Sequence, residues 1–350
     1  MKIGTNNINT DSKVFIIAEL SANHNGSLDT AIETIKAAKR AGADCVKLQT
    51  YTADTITIDS DKKDFLIKGT IWDGKKLHDL YKEAFTPWEW HEELMLVAKK
   101  EGLICFSSPF DKTAVDFLET LNVPAYKIAS FEITDIPLIE YVASKGKPII
   151  LSTGISEIKD IELALDACKR MGNHDIALLK CTSSYPAPIE EANMCMVKDL
   201  ASRFNVISGL SDHTLGSTAP VVATVFGAKI IEKHFILDRS VGGPDASFSM
   251  NELEFTEMVK SVREAEKAVG EINYDLTEKQ IKGRDFSRSL YVVEAVKKGD
   301  VVTEKNVRSI RPGFGLHPKH YKEVLGSSFI RNIEKGTPLS FSLIKTDSYE

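Results

Sequence analysis

The chain lacks a paired-cysteine motif, a membrane-spanning apolar run and an excess of positive charge. None of its five cysteines (Cys45, Cys105, Cys168, Cys181 and Cys195) forms a CxxC pair, and their number is odd. This usage is typical of thiols that stay reduced, so we expect a cytoplasmic protein. The N-terminal sequence MKIGTNNINTDSK lacks the apolar core of a signal peptide, and no apolar run approaches the roughly 20 residues of a membrane span.

Other absences disfavour several kinds of partner. The net charge is −6 and the isoelectric point about 5.8, so no overall basic surface is available for nucleic acid or an anionic membrane. An anionic substrate must therefore meet a local cluster of cations. No GxGxxG sequence follows the first strand-like run, which weakens the case for a dinucleotide-binding fold.

Eight apolar, strand-like runs alternate with segments of helical spacing over about 270 of the 350 residues. The runs occupy residues 14–20, 44–50, 103–110, 125–130, 148–154, 176–182, 205–211 and 229–235. Near-continuous apolar strands separated by helices indicate a parallel sheet that is covered on both faces. Eight such units predict an α/β fold of the closed (β/α)8 TIM barrel type, rather than an open doubly wound sheet.

Two stretches depart from this repeat. Residues 51–86 form a long insertion after the second strand, which is either a lid over the barrel, a decorative loop or an oligomer contact. After the helical sequence NELEFTEMVKSVREAEKAVG, short β-like pieces follow, including the similar phrases VKKGDVV and IEKGTPL. We predict a barrel domain at 1–280 and a small β-rich domain at 285–350.

Two histidines end neighbouring strand-like runs. His213 closes NVISGLSDHT and His234 closes KIIEKHF. Because the carboxyl ends of parallel barrel strands meet at one face, both imidazoles point into the same space. Together they form a candidate two-ligand site for a divalent metal, although either one alone is equally well explained as a satisfied polar residue.

Two lysines lie inside apolar runs, Lys47 in CVKLQT and Lys127 in AYKIAS. Lysine is rarely buried without a partner. With the hydroxyls at neighbouring strand ends, these lysines predict a cationic, donor-rich pocket for phosphate or carboxylate. Two alternatives stay open: a Schiff-base lysine, or pairing with Glu19 or Glu132 that only satisfies the barrel interior.

The chain resembles the sialic acid synthase family in an ordered set of blocks that spans nearly its whole length. The blocks are FIIAELSANHNGS, VKLQT, FSSPF, AYKIASFE, ILSTG, KCTSSYP, GLSDHT, EKHF and GPDASFSM. The tail resembles the C-terminal β-clip antifreeze-like (SAF) domain of that family. Within the family, AELSANHNGS, SFE and RPGFGLHPKHY are most like the branch that makes pseudaminic acid.

The resemblance implies that phosphoenolpyruvate condenses with the open-chain aldehyde of an N-acetylated amino sugar, giving a nonulosonic acid and phosphate. It implies a divalent metal, typically Mn2+ with Mg2+ or Co2+ as alternatives, held by His213 and His234, and catalytic roles for Glu19 and Glu132. The phosphoenolpyruvate contacts carry over to Lys47, Ser108, Lys127, Ser130, Ser152, Ser183 and Ser211. The sugar contacts carry over to Gln49, Phe110, Tyr185, Asp245 and Arg311.

In this family an arginine of the SAF domain reaches the barrel of the partner subunit, and its match is Arg311 in SIRPGFG. The resemblance therefore implies a domain-swapped homodimer. For a 6-deoxy sugar, we expect Phe65, Ile71 and Trp72 of the insertion to contribute an apolar wall.

Several alternatives remain at this stage. The sugar of the sialic or legionaminic branch could replace that of the pseudaminic branch. A barrel that condenses phosphoenolpyruvate with a phosphorylated sugar would not need the SAF tail. A Schiff-base aldolase would resist chelators, and a saccharide-binding protein with a relic barrel would have no activity.

Overall fold

The computed structural model describes residues 1–345. These divide into two compact units, one spanning Met1–Gly270 and the other beginning at Glu271. No helix within residues 1–345 is long and apolar enough to cross a membrane.

The first unit is a closed barrel of eight parallel strands, as the sequence predicted. The strands are β1 (Phe15–Glu19), β2 (Cys45–Thr50), β3 (Ile104–Pro109), β4 (Tyr126–Ile128), β5 (Ile149–Ser152), β6 (Ile176–Cys181), β7 (Ile207–Asp212) and β8 (Ile230–His234). Each strand pairs with the next in chain order, and β8 pairs back with β1 to close the ring.

One helix follows each strand on the outside of the barrel. These helices are α1 (Leu28–Arg40), α2 (His91–Lys100), α3 (Lys112–Thr120), α4 (Ile136–Ala143), α5 (Ile158–Arg170), α6 (Cys195–Phe204), α7 (Thr218–Val225) and α8 (Glu252–Val269). Helix α1 illustrates the local rules, because the Ser27 side chain accepts a hydrogen bond from the Thr30 amide and so caps its first turn. Its buried residues Ala31, Ile35 and Ala38 recur at helical spacing and face the sheet.

The strands are buried on both faces, which explains their near-continuous apolar sequences. All five residues of β1 are buried, and so are all four of β5. At the other end of the barrel from the strand carboxyl termini, a short antiparallel ladder joins Lys2–Ile3 to Asn6–Asn7. Ile3 and Ile8 of this segment are buried in the same apolar cluster as Phe15 and Ile17 of β1.

The insertion after β2 has structure of its own. It contains helices at Ala53–Ile56 and Leu77–Ala84, with a 3-10 turn at Lys63–Phe65 between them. The indole nitrogen of Trp72 donates a hydrogen bond to the Pro244 carbonyl in the loop after β8, at 3.0 Å. The insertion is therefore attached to the carboxyl end of the barrel.

The second unit is built from short strands around an apolar core. Strands β9 (Ser289–Val292) and β10 (Val307–Ile310) pair antiparallel, as do β11 (Ser328–Phe329) and β12 (Ile344–Lys345). Its helices are Glu278–Gly283 and Tyr321–Val324. The phrases VKKGDVV and IEKGTPL form matching turns in which Gly299 and Gly336 have φ of 93° and 91°, values that favour glycine.

Candidate active site

The carboxyl ends of the barrel strands surround a cavity of about 530 Å3. Its lining combines strand-end residues with residues of the insertion. The predicted site residues among them are Gln49, Phe110, Glu132, Ser183, Tyr185, His234 and Asp245. A cavity at this end of a (β/α)8 barrel is the expected location of an active site.

His213 and His234 lie side by side at the ends of β7 and β8. Their ring centroids are 5.3 Å apart. Nδ1 of His213 donates a hydrogen bond to the Thr182 carbonyl oxygen at 3.0 Å. In the neutral ring this leaves Nε2 as an acceptor. Nδ1 of His234 is buried and finds no hydrogen-bond partner within residues 1–345, and the nearest carboxylate oxygen, from Asp245, is 3.8 Å away.

These two imidazoles fit a divalent metal. Burial, followed by repulsion from His213, holds the pKa of His234 well below its usual value, so its ring is neutral and can coordinate. Burial opposes protonation of His213 as well, but the hydrogen bond and the negative charge of the Cys181 thiolate outweigh this and raise its pKa, so a metal would compete with a proton there. In the described part of the chain no group of three or more His, Cys, Asp or Glu side chains is placed to hold a metal.

Four charged side chains lie one layer below the cavity. Glu19, Lys47, Lys127 and Glu232 each precede a cavity-lining residue by two positions and therefore share its inward-facing side. All four are at most 5% exposed. We call these four residues the buried ion cluster.

Glu232 connects the two lysines of the buried ion cluster. Its Oε1 is 3.6 Å from Lys47 Nζ and 3.3 Å from Lys127 Nζ, and it accepts a hydrogen bond from Ser211 at 3.1 Å. Lys47 also pairs with Glu19. Burial would raise the pKa of Glu232, but the two lysines outweigh it and lower that pKa.

Sequence reasoning missed Glu232 and assigned its place to Glu132. Of the two pairings it considered, Lys47 with Glu19 is present, whereas Glu132 forms no ion pair within the described residues. A signal was available, because Glu232 precedes His234 by two residues in KIIEKHF and must share its face. The ion pairs satisfy the barrel interior and at the same time place two ammonium groups beneath the cavity.

Two of the five predicted serines, Ser108 and Ser211, contact the buried ion cluster. Ser108 Oγ is 3.3 Å from Lys47 Nζ, and Ser130 Oγ accepts a hydrogen bond from the Gly154 amide. Ser152 Oγ is buried without a hydrogen-bond partner in the described chain, so a donor is available there. The added Cβ of any residue at Gly154 would lie 2.1 Å from Ser183 Oγ and 2.5 Å from Ser130 Oγ, which explains the glycine between them.

Glu132 stands at the edge of the cavity in the 3-10 turn after β4. Its Oε2 is buried and unpartnered among residues 1–345. Burial raises its pKa to about 7, although the charge of Lys127 acts in the opposite direction. A carboxyl group that titrates near neutrality can take up or release a proton at the pH of the cell.

Aromatic and aliphatic side chains form the rest of the cavity. Tyr185 contacts the His213 ring at a centroid distance of 4.4 Å and the Trp72 ring at 5.6 Å. Residues of the insertion complete one side, which we call the insertion wall: Ile67, Trp72, Leu77 and Leu80. Trp72 lines the cavity, as the sequence predicted. Phe65 and Ile71 are outside the lining that the described residues form, and Ile71 faces solvent with 49% of its surface exposed.

Arg311 lies in the second unit. It directly follows β10 and its side chain is exposed. The other predicted site residues all belong to the first unit.

Comparison with known proteins is consistent with this site. Residues 34–274 match the NeuB family and residues 287–345 match the SAF domain. The chain is 51% identical over 342 residues to a pseudaminic acid synthase of Campylobacter jejuni, covering 98% of this chain and 99% of that protein. It is 49% identical to a pseudaminic acid synthase of Helicobacter pylori, covering 93% and 96% respectively.

A solved structure has the same architecture. The N-acetylneuraminic acid (sialic acid) synthetase of Leptospira borgpetersenii, crystallised with citrate, superimposes with a TM-score of 0.72 at 30% identity, covering 81% of this chain and 94% of that one. With the family match over most of the barrel and near full-length relatives at about half identity, the chain belongs to the NeuB family and carries a C-terminal SAF domain.

Proposed function

We propose that this enzyme is a pseudaminic acid synthase. It condenses phosphoenolpyruvate with the open-chain aldehyde of 2,4-diacetamido-2,4,6-trideoxy-altrose and releases pseudaminic acid and phosphate. The observation that carries the proposal is that two adjacent imidazoles and two buried ammonium groups lie on the same inward face of the barrel. The two relatives named pseudaminic acid synthase, at 51% and 49% identity, support the choice of sugar.

The proposed metal is Mn2+, with Mg2+ or Co2+ as alternatives, and His213 and His234 are its protein ligands. Both ring positions fit this role, since the His234 imidazole is neutral and Nδ1 of His213 is fixed by a backbone carbonyl. A bound divalent ion would supply Lewis acidity that polarises the sugar aldehyde. Water and substrates would fill the positions that the two histidines leave open.

Phosphoenolpyruvate is proposed to bind at Lys47 and Lys127. These lysines neutralise the anion, and hydroxyl groups fix its orientation: Ser108, Ser130, Ser152, Ser183 and Ser211. Burial raises the pKa of Glu19, so this carboxyl can become neutral when an incoming anion takes over its contact with Lys47. That exchange would keep the net charge of the pocket balanced.

The reaction joins the methylene carbon of phosphoenolpyruvate to the aldehyde carbon of the sugar. Positive charge then develops on the enol carbon, water adds there, and the adduct loses phosphate. Glu132 is proposed to accept the proton of that water, a role that its pKa of about 7 and its position beside the cavity support. Gln49, Phe110, Tyr185 and Asp245 are proposed to contact the sugar together with Glu19.

The test is an assay of phosphate release with a panel of amino-sugar aldehydes. The trideoxy-altrose sugar should give the highest kcat/KM, because the insertion wall offers an apolar surface to its C6 methyl group. A higher value with N-acetylmannosamine would make the protein an N-acetylneuraminic acid synthase, and a higher value with a gluco- or manno-configured diacetamido sugar would make it a legionaminic acid synthase.

We further propose that the enzyme works as a domain-swapped homodimer in the cytoplasm, with the partner subunit supplying the arginine. Arg311 is exposed, and a guanidinium suits a carboxylate or sugar hydroxyls. Residues 271–345 contain 14 Lys and Arg against 9 Asp and Glu, whereas residues 1–270 contain 30 against 39. Opposite net charges support association of a SAF domain with a barrel, and subunit mixing decides whether that barrel belongs to another chain.

Subunit mixing tests the swapped dimer. His213→Ala and Arg311→Ala should each be inactive, but heterodimers formed by reassociation should regain one intact site. Proven heterodimers without recovered activity would show that Arg311 acts within its own chain or has no role.

A further inference from the structure

A second pair of opposite charges is buried on the outer side of β7 and β8. Asp212 is 3% exposed and Lys233 1%. The Lys233 ammonium donates to Asp212 Oδ2 and to the Thr214 carbonyl oxygen, each at 2.5 Å. The other carboxylate oxygen of Asp212 accepts a hydrogen bond from the Thr214 amide at 2.9 Å. Both charges are therefore satisfied by contacts between Lys233 on β8 and residues 212–214 at the end of β7.

The pair lies directly behind the two histidines. Asp212 precedes His213 and Lys233 precedes His234 in the chain, and Asp212 and Lys233 are ladder partners. Because side chains alternate along a strand, the ion pair and the histidines face opposite sides of the barrel wall. Lys233 thus binds Asp212 and Thr214, the residues on either side of His213. These contacts connect the His213 segment to β8, the strand that carries His234.

Stability alone does not account for such a pair. Removing two charges from water costs several kcal/mol per ion, and replacing a buried ion pair by apolar residues is often neutral or stabilising. What the pair does provide is a fixed geometry for the His213 backbone relative to β8. Residues that orient metal ligands commonly change metal affinity by about 10- to 100-fold when they are replaced.

We propose that Asp212 and Lys233 are positioning residues that set the spacing of His213 and His234 for the divalent metal. The inference rests on the proposed metal-dependent function. It assigns a role to residues that do not touch metal or substrate.

The test compares Mn2+ binding, measured by titration calorimetry on the full chain, with thermal unfolding of the same samples. The double variant Asp212→Asn/Lys233→Met removes both charges and leaves no unpaired buried ion. Its Kd for Mn2+ should rise about 10- to 100-fold. The double variant should lose less in Tm than either single variant, Asp212→Asn or Lys233→Met. Each single variant leaves one buried ion unpaired, which costs more stability.

Two controls make the result specific. Asp199→Asn/Arg203→Met removes an exposed ion pair on α6 and should leave Mn2+ affinity unchanged. Phosphoenolpyruvate binding by the metal-free double variant should also be unchanged, because Lys47 and Lys127 lie on β2 and β4 and are held by Glu19 and Glu232 rather than by Asp212 or Lys233. If the double variant does not fold, Asp212→Asn/Lys233→Gln is measured instead, since it also leaves no unpaired buried ion and asparagine keeps the acceptor for the Thr214 amide.

Wild-type Mn2+ affinity in the double variant would overturn the inference. So would parallel losses of Mn2+ and phosphoenolpyruvate binding, because these would indicate general disorder of the site. If the unchanged chain itself binds no Mn2+, the proposed metal-dependent function fails, and that outcome is separate from the other two.

Discussion

The buried ion cluster and the insertion wall border the same cavity but are built in different ways. The cluster sits on β1, β2, β4 and β8, where each side chain is fixed by the strand and by an oppositely charged neighbour. The wall comes from one long connection between β2 and α2, and it is held to the barrel by contacts such as that of Trp72 with Pro244. The charged side chains therefore lie on barrel strands, whereas the apolar side of the cavity is formed by a loop.

This difference separates the two tasks of the enzyme. Anion binding requires charges at fixed distances, which neighbouring barrel strands provide. Selection among sugars requires a surface that can change without disturbing those charges, and a loop at the strand ends meets that need. Changes at strand ends should therefore reduce the reaction with every sugar, whereas changes in the wall should alter the preference between sugars.

The largest effect is expected at the two strand ends that carry the proposed metal ligands. His213→Ala and His234→Ala should each lower phosphate release by about 10^4-fold, since the Lewis acid contributes several kcal/mol to lowering the barrier. Circular dichroism should show an unchanged fold, and excess EDTA should reduce the unchanged enzyme to the same level. Full activity of either variant, or of the EDTA-treated enzyme, would disprove the metal assignment.

The next effect concerns the lysines of the buried ion cluster. Lys127→Met should lower kcat/KM for phosphoenolpyruvate by about 10^3-fold, because one fixed charge at the anion is lost. The pKa of Lys127 is lowered by burial despite Glu232, so a Schiff base must be tested as well. We expect borohydride with substrate to leave no adduct by mass spectrometry, and an adduct on Lys47 or Lys127 would turn the assignment toward an aldolase.

Glu132 should show opposite effects on activity and stability. Glu132→Gln should lower kcat by about 10^2-fold if its carboxylate accepts the proton of the attacking water. Without substrates, the same change should stabilise the fold at pH 8 by on the order of 1–3 kcal/mol, because the native structure disfavours the ionised carboxylate. Unchanged activity would contradict the proposed proton transfer, whereas no gain in stability would mean that the native structure does not raise the pKa of this carboxyl.

The pH dependence of that gain follows from the raised pKa. Burial raises the pKa of Glu132 from 4.5 to about 7, so the folded chain binds more protons than the unfolded chain in this interval. The contribution of Glu132 to the free energy of unfolding should therefore fall as pH rises from about 4.5 to 7. Urea titrations at pH 5 and pH 8 should show a small difference between Glu132→Gln and the unchanged chain at pH 5 and a larger one at pH 8.

Much of the barrel could be predicted from the sequence, because its strands are nearly continuous apolar runs. The partner of the lysines was missed: the position of Glu232 two residues before His234 predicts that it faces inward, but only the closed ring shows that β8 comes within reach of the lysines on β2 and β4. The insertion wall was also predicted in part. Trp72 was predicted together with Phe65 and Ile71 as an apolar residue of the insertion, whereas the roles of Ile67, Leu77 and Leu80 depend on how the loop folds back over the cavity.

The smallest effect is expected at the insertion wall. Trp72 contacts Tyr185 and donates to Pro244, and its ring lines the cavity. Trp72→Ala should raise KM for the trideoxy sugar by about 10-fold, as expected for loss of an apolar contact with a methyl group. KM for phosphoenolpyruvate should change little, because the buried ion cluster is untouched.

Ile71→Ala is the matched control, since this neighbour is 49% exposed and lies outside the cavity lining of the described residues. It should behave as the unchanged enzyme with both substrates. The informative quantity is the ratio of kcat/KM between the trideoxy sugar and N-acetylmannosamine, which carries a hydroxyl at C6. Trp72→Ala should lower that ratio, because the methyl group loses its apolar contact while the hydroxyl loses less. If both sugars weaken equally, the wall contributes only general stability to the cavity, and the division between charge on strands and shape on the loop does not hold.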